Sequence, residues 1–473
     1  MRALHTTLMV CLAVAAGRAA LAADSLEARI TPMLANAQLK TASVGIEVQE
    51  ITPRGAVTLY SHDAGTPLGP ASNCKLLTTA AAFEKYGPNA AFKTQLYRIG
   101  PDLLLMGGGD PGLGDAKLAA AAGETPTTAF EQWAANLRAA GILQYRDLVI
   151  DDRVFDSQWV HPNWKADQTL DWYSAPVAGL NFNANCLDWI PKITPGGLTV
   201  ELIPNTSYVS VTIKATKGAA NKISLIRQQK SNKFELRGTL AASATAPESV
   251  TIYDPGMWTG TILRDVLAAA GVRGAGQVRR AADGEHFASG TLLASHETPL
   301  MSVLGRANTN SLNMMAECLC KRLGYDSKGG REPGSWANGT AAVEAYAAAL
   351  GVPPAQVSLD DGSGLSNKNK ASAHAFATVL AHVAGRPDGQ KFIDTLAQPG
   401  EDGTLKKRFA RMTVADHVQA KTGHIDGVST LSGYITTDTR RFAFSILCNK
   451  YQGNVNPWQD QVCQAIYAWA GGK

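Results

Sequence analysis

Apolar residues recur at intervals of three and four over residues 76–86, 128–140, 260–270, 300–304, 314–323, 340–350 and 373–383, and that spacing predicts a helix in each stretch. The first is rich in Ala and Leu and is stopped by Gly87-Pro88. A short amphipathic helix is expected over 26–34, and a last helix capped by Asn456-Pro457 and closed by Gly471. Alternating or β-branched runs predict strands at 43–50 and 56–60, joined by a Pro-Arg-Gly turn, and further strands at 94–97, 103–106, 148–150, 428–435 and 441–448. Between 195 and 252 the pattern changes to short strands at 198–202, 208–213, 234–237 and 249–252 with polar turns between them, which reads as a small all-β module inserted mid-chain. No internal repeat is visible.

A chain of 473 residues exceeds what one hydrophobic core serves, so two or three domains are expected. At 45% hydrophobic and 18% charged it is globular rather than disordered. Met1-Arg2-Ala3, the apolar run 8–16 and Ala20-Leu21-Ala22 have the charged start, short hydrophobic middle and small-residue end of a secretory signal, with cleavage expected after Ala22. The run is too short to span a bilayer, and no later segment is long and apolar enough to anchor the chain. An exported protein is therefore expected, with no integral membrane segment. Cleavage would remove Arg2 and Arg18 and no acid, taking the formal charge from +4 to +2. That balance, with bases spread along the chain, offers nucleic acid no footprint. Of seven cysteines Cys11 lies in the signal. Six remain, and Cys448 with Cys463 is the favoured disulfide because the two are close in sequence, at a strand end and in the next helix. With no second C-x-x-C and no H-E-x-x-H, neither zinc nor another cofactor is expected.

Three short stretches carry chemistry. Ser72 and Lys75, three apart at the opening of a helix, share a face, so the amine can reach the hydroxyl. Asn310-Ser311-Leu312-Asn313 is a loop leading into a helix, and Ala420-Lys421-Thr422-Gly423 follows strand-like Val418-Gln419. S-x-x-K, S-x-N and K-T-G in that order form the signature set of penicillin-binding proteins and serine β-lactamases. Acyl transfer needs an activated hydroxyl, a proton shuttle, an oxyanion hole and a grip on the substrate. Ser72 is the expected nucleophile and Lys75 its base, with burial and the neighbouring Lys421 charge lowering the Lys75 pKa. Ser311 and Lys421 are expected to return a proton to the leaving amine, and Asn313 to bond the substrate amide and fix Lys75. Lys421 and Thr422 are placed to bind a carboxylate, and Gly423 to let the strand lie close to the ligand. The backbone N–H groups of Ser72 and His424 are the expected oxyanion hole. Gly107, Gly109 and Gly112 formally match G-x-G-x-x-G, but Pro111 and the missing βαβ context make this a glycine-rich turn.

With these motifs the chain resembles the D-alanyl-D-alanine carboxypeptidases/endopeptidases of peptidase family S13, the class C low-molecular-mass penicillin-binding proteins. The match extends to Pro70-Ala71-Ser72, Gly107-Gly108-Gly109-Asp110-Pro111, Asp151-Asp152, Tyr173-Ser174-Ala175-Pro176, Asp361-Gly362-Ser363-Gly364-Leu365-Ser366 and Leu431-Ser432-Gly433-Tyr434. The long interval from Ser72 to Ser311 fits this family, whereas a β-lactamase has a much shorter one. The resemblance implies an α/β (α+β) fold: a transpeptidase-like α/β/α body from 23–92 and 292–473, an inserted domain from 93–194 and 253–291, and a nested, mostly β domain at 195–252. It implies a periplasmic serine DD-carboxypeptidase with DD-endopeptidase activity on peptidoglycan stem peptides, acylated by β-lactams at Ser72, and leaves a homodimer open. Asp167 falls where relatives place an acid near the stem-peptide side chain. Two positions depart from the family: His424 stands where Thr or Ser is usual, and Asn367 where Arg is common. The alternatives are a β-lactamase or D-amino-acid esterase on the same machinery, and a peptidoglycan-binding protein without turnover.

Overall fold

The computed structural model describes residues 25–287 and 290–472; the expected signal at 1–22 lies outside the described residues. At the centre of the first body is an antiparallel five-stranded sheet in the order Val418–Ile425, Val428–Thr436, Arg441–Asn449, Ser43–Thr52, Gly55–His62. The two ends of the chain thus meet in one sheet, with Ile46 opposite Ile446 and Val48 opposite Phe444. Both faces of its middle strand are buried because alternate residues feed different cores. Phe442, Phe444, Ile446 and Cys448 pack with Leu26, Ile30, Val462 and Ile466 of the two terminal helices. Ala443 and Leu447 pack with Leu76, Ala80, Phe376 and Leu380 of helices Cys74–Tyr86 and Ala373–Ala384. Period-two alternation in a strand puts successive side chains on opposite faces, so this is an α/β/α sandwich.

A second five-stranded sheet runs Val278–Arg280, Leu148–Asp151, Asp102–Gly107, Ala91–Ile99, Thr291–Pro299. Helices Thr128–Ala139 and Pro255–Ala269 join it through Phe130, Trp133, Trp258 and Ile262, in one core with Leu96, Leu105 and Ile150. Phe234 and Leu236, from a β-rich stretch of short strands, belong to that same core. Thr291–Pro299 pairs with Ala91–Ile99, so the second sheet begins before 93 and runs past 292, the points expected for leaving and re-entering the first body. The β-rich stretch likewise opens earlier than 195, since Cys186–Thr194 pairs with both Gly197–Ile203 and Glu248–Thr251.

Three local expectations are corrected. The helix over 26–34 divides into Leu26–Ile30 and a 3-10 turn Thr31–Ala35, because Pro32 offers no N–H to continue the α ladder. Asn456 does not cap the last helix: it is the first helical residue, and its Oδ1 accepts from the Ser429 hydroxyl at 3.1 Å. Cys448 and Cys463 are free thiols, as are the other four described cysteines; all six are buried, and this pair sits as small apolar groups in the core beneath the last helix. No helix among the described residues is long and apolar enough to cross a membrane.

Candidate active site

Helix Cys74–Tyr86 is entered through a single 3-10 turn, Ala71–Asn73, in which Ala71 takes φ +45°. Ser72 is therefore on the turn before the helix, half-buried, and Lys75 in the first helical turn is fully buried. The Lys75 amine has a complete set of neighbours: Asn313 Oδ1 at 2.5 Å, the Ser363 carbonyl at 2.9 Å and Ser72 Oγ at 3.0 Å. In the neutral form two N–H bonds serve the two carbonyl-type acceptors and the lone pair is left for the Ser72 proton. Burial lowers the Lys75 pKa to about 8, against the opposing pull of the Glu317 and Asp361 carboxylates. Contrary to expectation, the Lys421 charge is not what lowers it. Lys421 itself is held well below the ordinary lysine range, first by burial and then by the Lys75 charge.

The Ser363 carbonyl is aimed by two buried acids. Glu317, one turn after Asn313 on helix Asn313–Ser327, accepts from the backbone N–H of Gly362 (2.9 Å) and Ser363 (2.8 Å) and from the Trp336 indole (2.7 Å). Asp361 accepts from the N–H groups of Gly364 and Ser366, the Trp164 indole and the Asn369 amide. These bonds tie the stretch 361–366 against the nucleophile helix; a side chain at Gly364 (φ +86°) would collide with the Ala71 carbonyl. Burial and the Asp361 charge push the Glu317 carboxyl up to about 7.

On the other side, Lys421 Nζ donates to Ser311 Oγ at 2.9 Å and to the Thr422 carbonyl at 2.7 Å. Ser311 has φ +60°, a left-handed conformation that costs a non-glycine residue about 1–3 kcal/mol. The Asn313 amide splits its roles, with its oxygen on Lys75 and its nitrogen donating to the Tyr173 carbonyl at 2.7 Å. Gly423 lies against the nucleophile turn: a Cβ there would meet the Pro70 carbonyl at 2.8 Å and the Asn73 nitrogen at 3.0 Å, as well as the Thr430 hydroxyl. Ser72, Ser311, Asn313 and His424 line one cavity of about 350 Å³, with Trp172, Tyr173, Leu365, Asn367 and Asp426 among its other walls. Thr422 is half-buried and Asp167 exposed; the cavity wall takes Lys165 and Gln168 from the Asp167 segment, not Asp167 itself. Lys165 instead pairs with Asp426 at 2.7 Å on the rim.

A profile of the D-Ala-D-Ala carboxypeptidase 3 (S13) family matches residues 26–470. The chain belongs to that family. Over 443 residues it is 31% identical to the D-alanyl-D-alanine carboxypeptidase of Actinomadura sp. (strain R39), a match covering 87% of this chain and 79% of that protein. It is 24% identical over 413 residues to the carboxypeptidase DacB of Haemophilus influenzae, covering 83% of each. The crystal structure of penicillin binding protein 4 from Haemophilus influenzae has the same fold, with a TM-score of 0.75, 22% identity and coverage of 94% of this chain and 99% of that one. The chain is accordingly a serine-type D-Ala-D-Ala carboxypeptidase.

Within this S13 carboxypeptidase, several residues around the nucleophile were not singled out from the sequence. Glu317 has a signal, since it lies four residues after Asn313 and so on the same helix face. Asn73, whose amide donates to Ser432 Oγ at 2.6 Å, stands directly after the nucleophile. The carbonyls of Ser363 and Tyr173 have none, because a backbone acceptor depends on no side chain. Cys74, between Ser72 and Lys75, is fully buried with its thiol 3.5 Å from the Asp361 carbonyl, and burial first, then the Asp361 charge, raises its pKa well above the usual thiol value. It packs and does not react. Among the described residues no group of His, Cys, Asp or Glu could hold a metal ion.

Proposed function

We propose that this enzyme removes the terminal D-alanine of peptidoglycan stem peptides, and opens D-alanyl cross-links, through an acyl-enzyme on Ser72. Lys75 takes the Ser72 proton as Oγ attacks the penultimate D-alanyl carbonyl. The backbone N–H groups of Ser72 and His424 receive the oxyanion. The proton taken by Lys75 is returned through Ser311, which Lys421 steadies, to the departing amine, so the C–N bond breaks and Lys75 is neutral again. Water then attacks the ester with Lys75 again the base, which frees the shortened peptide and restores the Ser72 hydroxyl. Lys421 and Thr422 hold the terminal carboxylate. That carboxylate favours a charged Lys421, and a charged Lys421 disfavours charge on Lys75, so substrate binding sharpens the base. Gly423 contributes by letting its strand close on the nucleophile turn, His424 lines the entrance, and Asp167 lies outside the wall where a longer stem peptide passes.

The observation that carries this reading is the amine of Lys75, buried and held between Asn313, Ser363 and Ser72 so that one position remains for a proton from the serine. An exported, periplasmic location follows from the substrate and from the leader-like residues 1–22. Penicillins, which mimic a D-Ala-D-Ala end, acylate the same hydroxyl. The test is release of D-alanine from a D-Ala-D-Ala peptide and cleavage of a cross-linked muropeptide dimer. Wild type is expected to do both and Ser72→Ala neither. Turnover surviving in Ser72→Ala contradicts the proposal.

A further inference from the structure

Ser311 is gripped on both sides by one residue. The Arg306 guanidinium donates to Asn310 Oδ1, one residue before Ser311, at 2.7 Å, and the Arg306 carbonyl accepts from the N–H of Leu312, one residue after it, at 3.1 Å. Between these two bonds the serine is held at φ +60° with its hydroxyl 2.9 Å from Lys421. The guanidinium is in turn fixed by Asp115, to which it donates through Nε (3.0 and 3.2 Å) and Nη2 (2.9 Å). Asp115 is 2% exposed and belongs to the stretch between the second-sheet strand Asp102–Gly107 and helix Thr128–Ala139, far in sequence from every signature motif. Lys117 of the same stretch pairs with Asp402, which also faces Asn310.

We infer that Arg306 is a positioning residue for Ser311, and that Asp115 of the second-sheet stretch aims it, so that the insertion between the first two motifs is part of the proton-delivery apparatus. A planar fork suits this task, since it holds a carboxylate and an amide oxygen at once, which a lysine ammonium cannot do with the same directions. A hydroxyl that hands a proton to a leaving amine must be placed to within a fraction of an ångström, and a left-handed serine does not stay there without external support.

This inference rests on the proton-delivery role proposed above, and a comparison of leaving groups tests it. An amine leaves only when protonated, whereas a thiolate leaves without help. In the full-length protein, Arg306→Gln and Asp115→Asn are expected to lower kcat on a D-Ala-D-Ala peptide about tenfold or more at similar KM. On the matching thioester the expected loss is less than about threefold. The double variant should be no worse than Arg306→Gln alone, because the two act in series. Arg146→Gln, which breaks the Arg146–Asp102 ion pair of the second sheet, should leave both rates unchanged. Should Arg306→Gln fail to fold, Asn310→Ala cuts the final link, together with the Asn310–Asp402 bond, and is expected to show the same selectivity. Equal losses on peptide and thioester, or no loss on the peptide, overturn the inference. A wild type inert on both substrates defeats instead the reading on which it rests.

Discussion

Lys75 Nζ stands 3.0 Å from Ser72 Oγ while bonding Asn313 Oδ1 at 2.5 Å, so one amine is both anchored by the second signature motif and turned toward the nucleophile of the first. Its protonation state then sets the rate. A charged Lys75 has no lone pair for the serine proton, and its pKa is lowered to about 8. Acylation should therefore rise about tenfold per pH unit on the acid side and level off above about pH 8. The second-order rate of penicillin acylation, followed from pH 6 to 10, checks this. Lys75→Ala should lose about 10²–10⁴-fold and the rising limb with it.

Glu317 adds a sign that separates its electrostatic effect from its structural one. Its charge raises the Lys75 pKa, so Glu317→Gln should move the rising limb to lower pH. The same change turns one acceptor oxygen into a donor facing either the Ser363 N–H or the Gly362 N–H and the Trp336 indole, which loosens the Ser363 carbonyl and lowers the plateau by about tenfold. A pH profile of Glu317→Gln that falls in height without moving contradicts the electrostatic part.

Gly423 is expected to be intolerant for a reason of space. A methyl group at this position meets the Pro70 carbonyl and the Asn73 nitrogen of the turn that carries Ser72. Gly423→Ala should cost about 1–3 kcal/mol in thermal or denaturant unfolding and slow acylation, because the strand must back away from the nucleophile. Unchanged stability and unchanged acylation together contradict this.

How much of this was legible in the sequence differs by element. The helix at 74–86 announced itself by composition and by Gly87-Pro88, and the order S-x-x-K, S-x-N, K-T-G pointed to one cleft although its members lie hundreds of residues apart. Thr291–Pro299 escaped notice because its polar Ser295, His296 and Glu297 break the apolar alternation, and its place is set by pairing with a strand nearly two hundred residues earlier. Cys186–Thr194 carries Asp188 and Pro191, which mask a strand whose stability comes from neighbours on both edges. The reach from Asp115 to Arg306 was invisible because Asp115 sits in no motif and acts through another side chain. Glu317 could be found by its spacing from Asn313, but its hold on the Ser363 segment runs through backbone N–H groups that no side-chain pattern records.

The free thiols make a chemical prediction. With Cys74, Cys186, Cys318, Cys320, Cys448 and Cys463 unpaired and buried, the native protein should react slowly with thiol reagents, and on denaturation these six should each take up one equivalent. Reducing agents should leave the unfolding temperature unchanged. A drop of two equivalents, restored by reduction, would signal a disulfide and contradict the structure.

Central to the whole account is one activated hydroxyl, and covalent labelling reads it directly. After incubation with a fluorescent penicillin, the intact mass should rise by one penicilloyl group, and peptide mapping should locate it on Ser72, with Ser72→Ala unlabelled. A label on any other residue, or none on the folded wild-type protein, contradicts it.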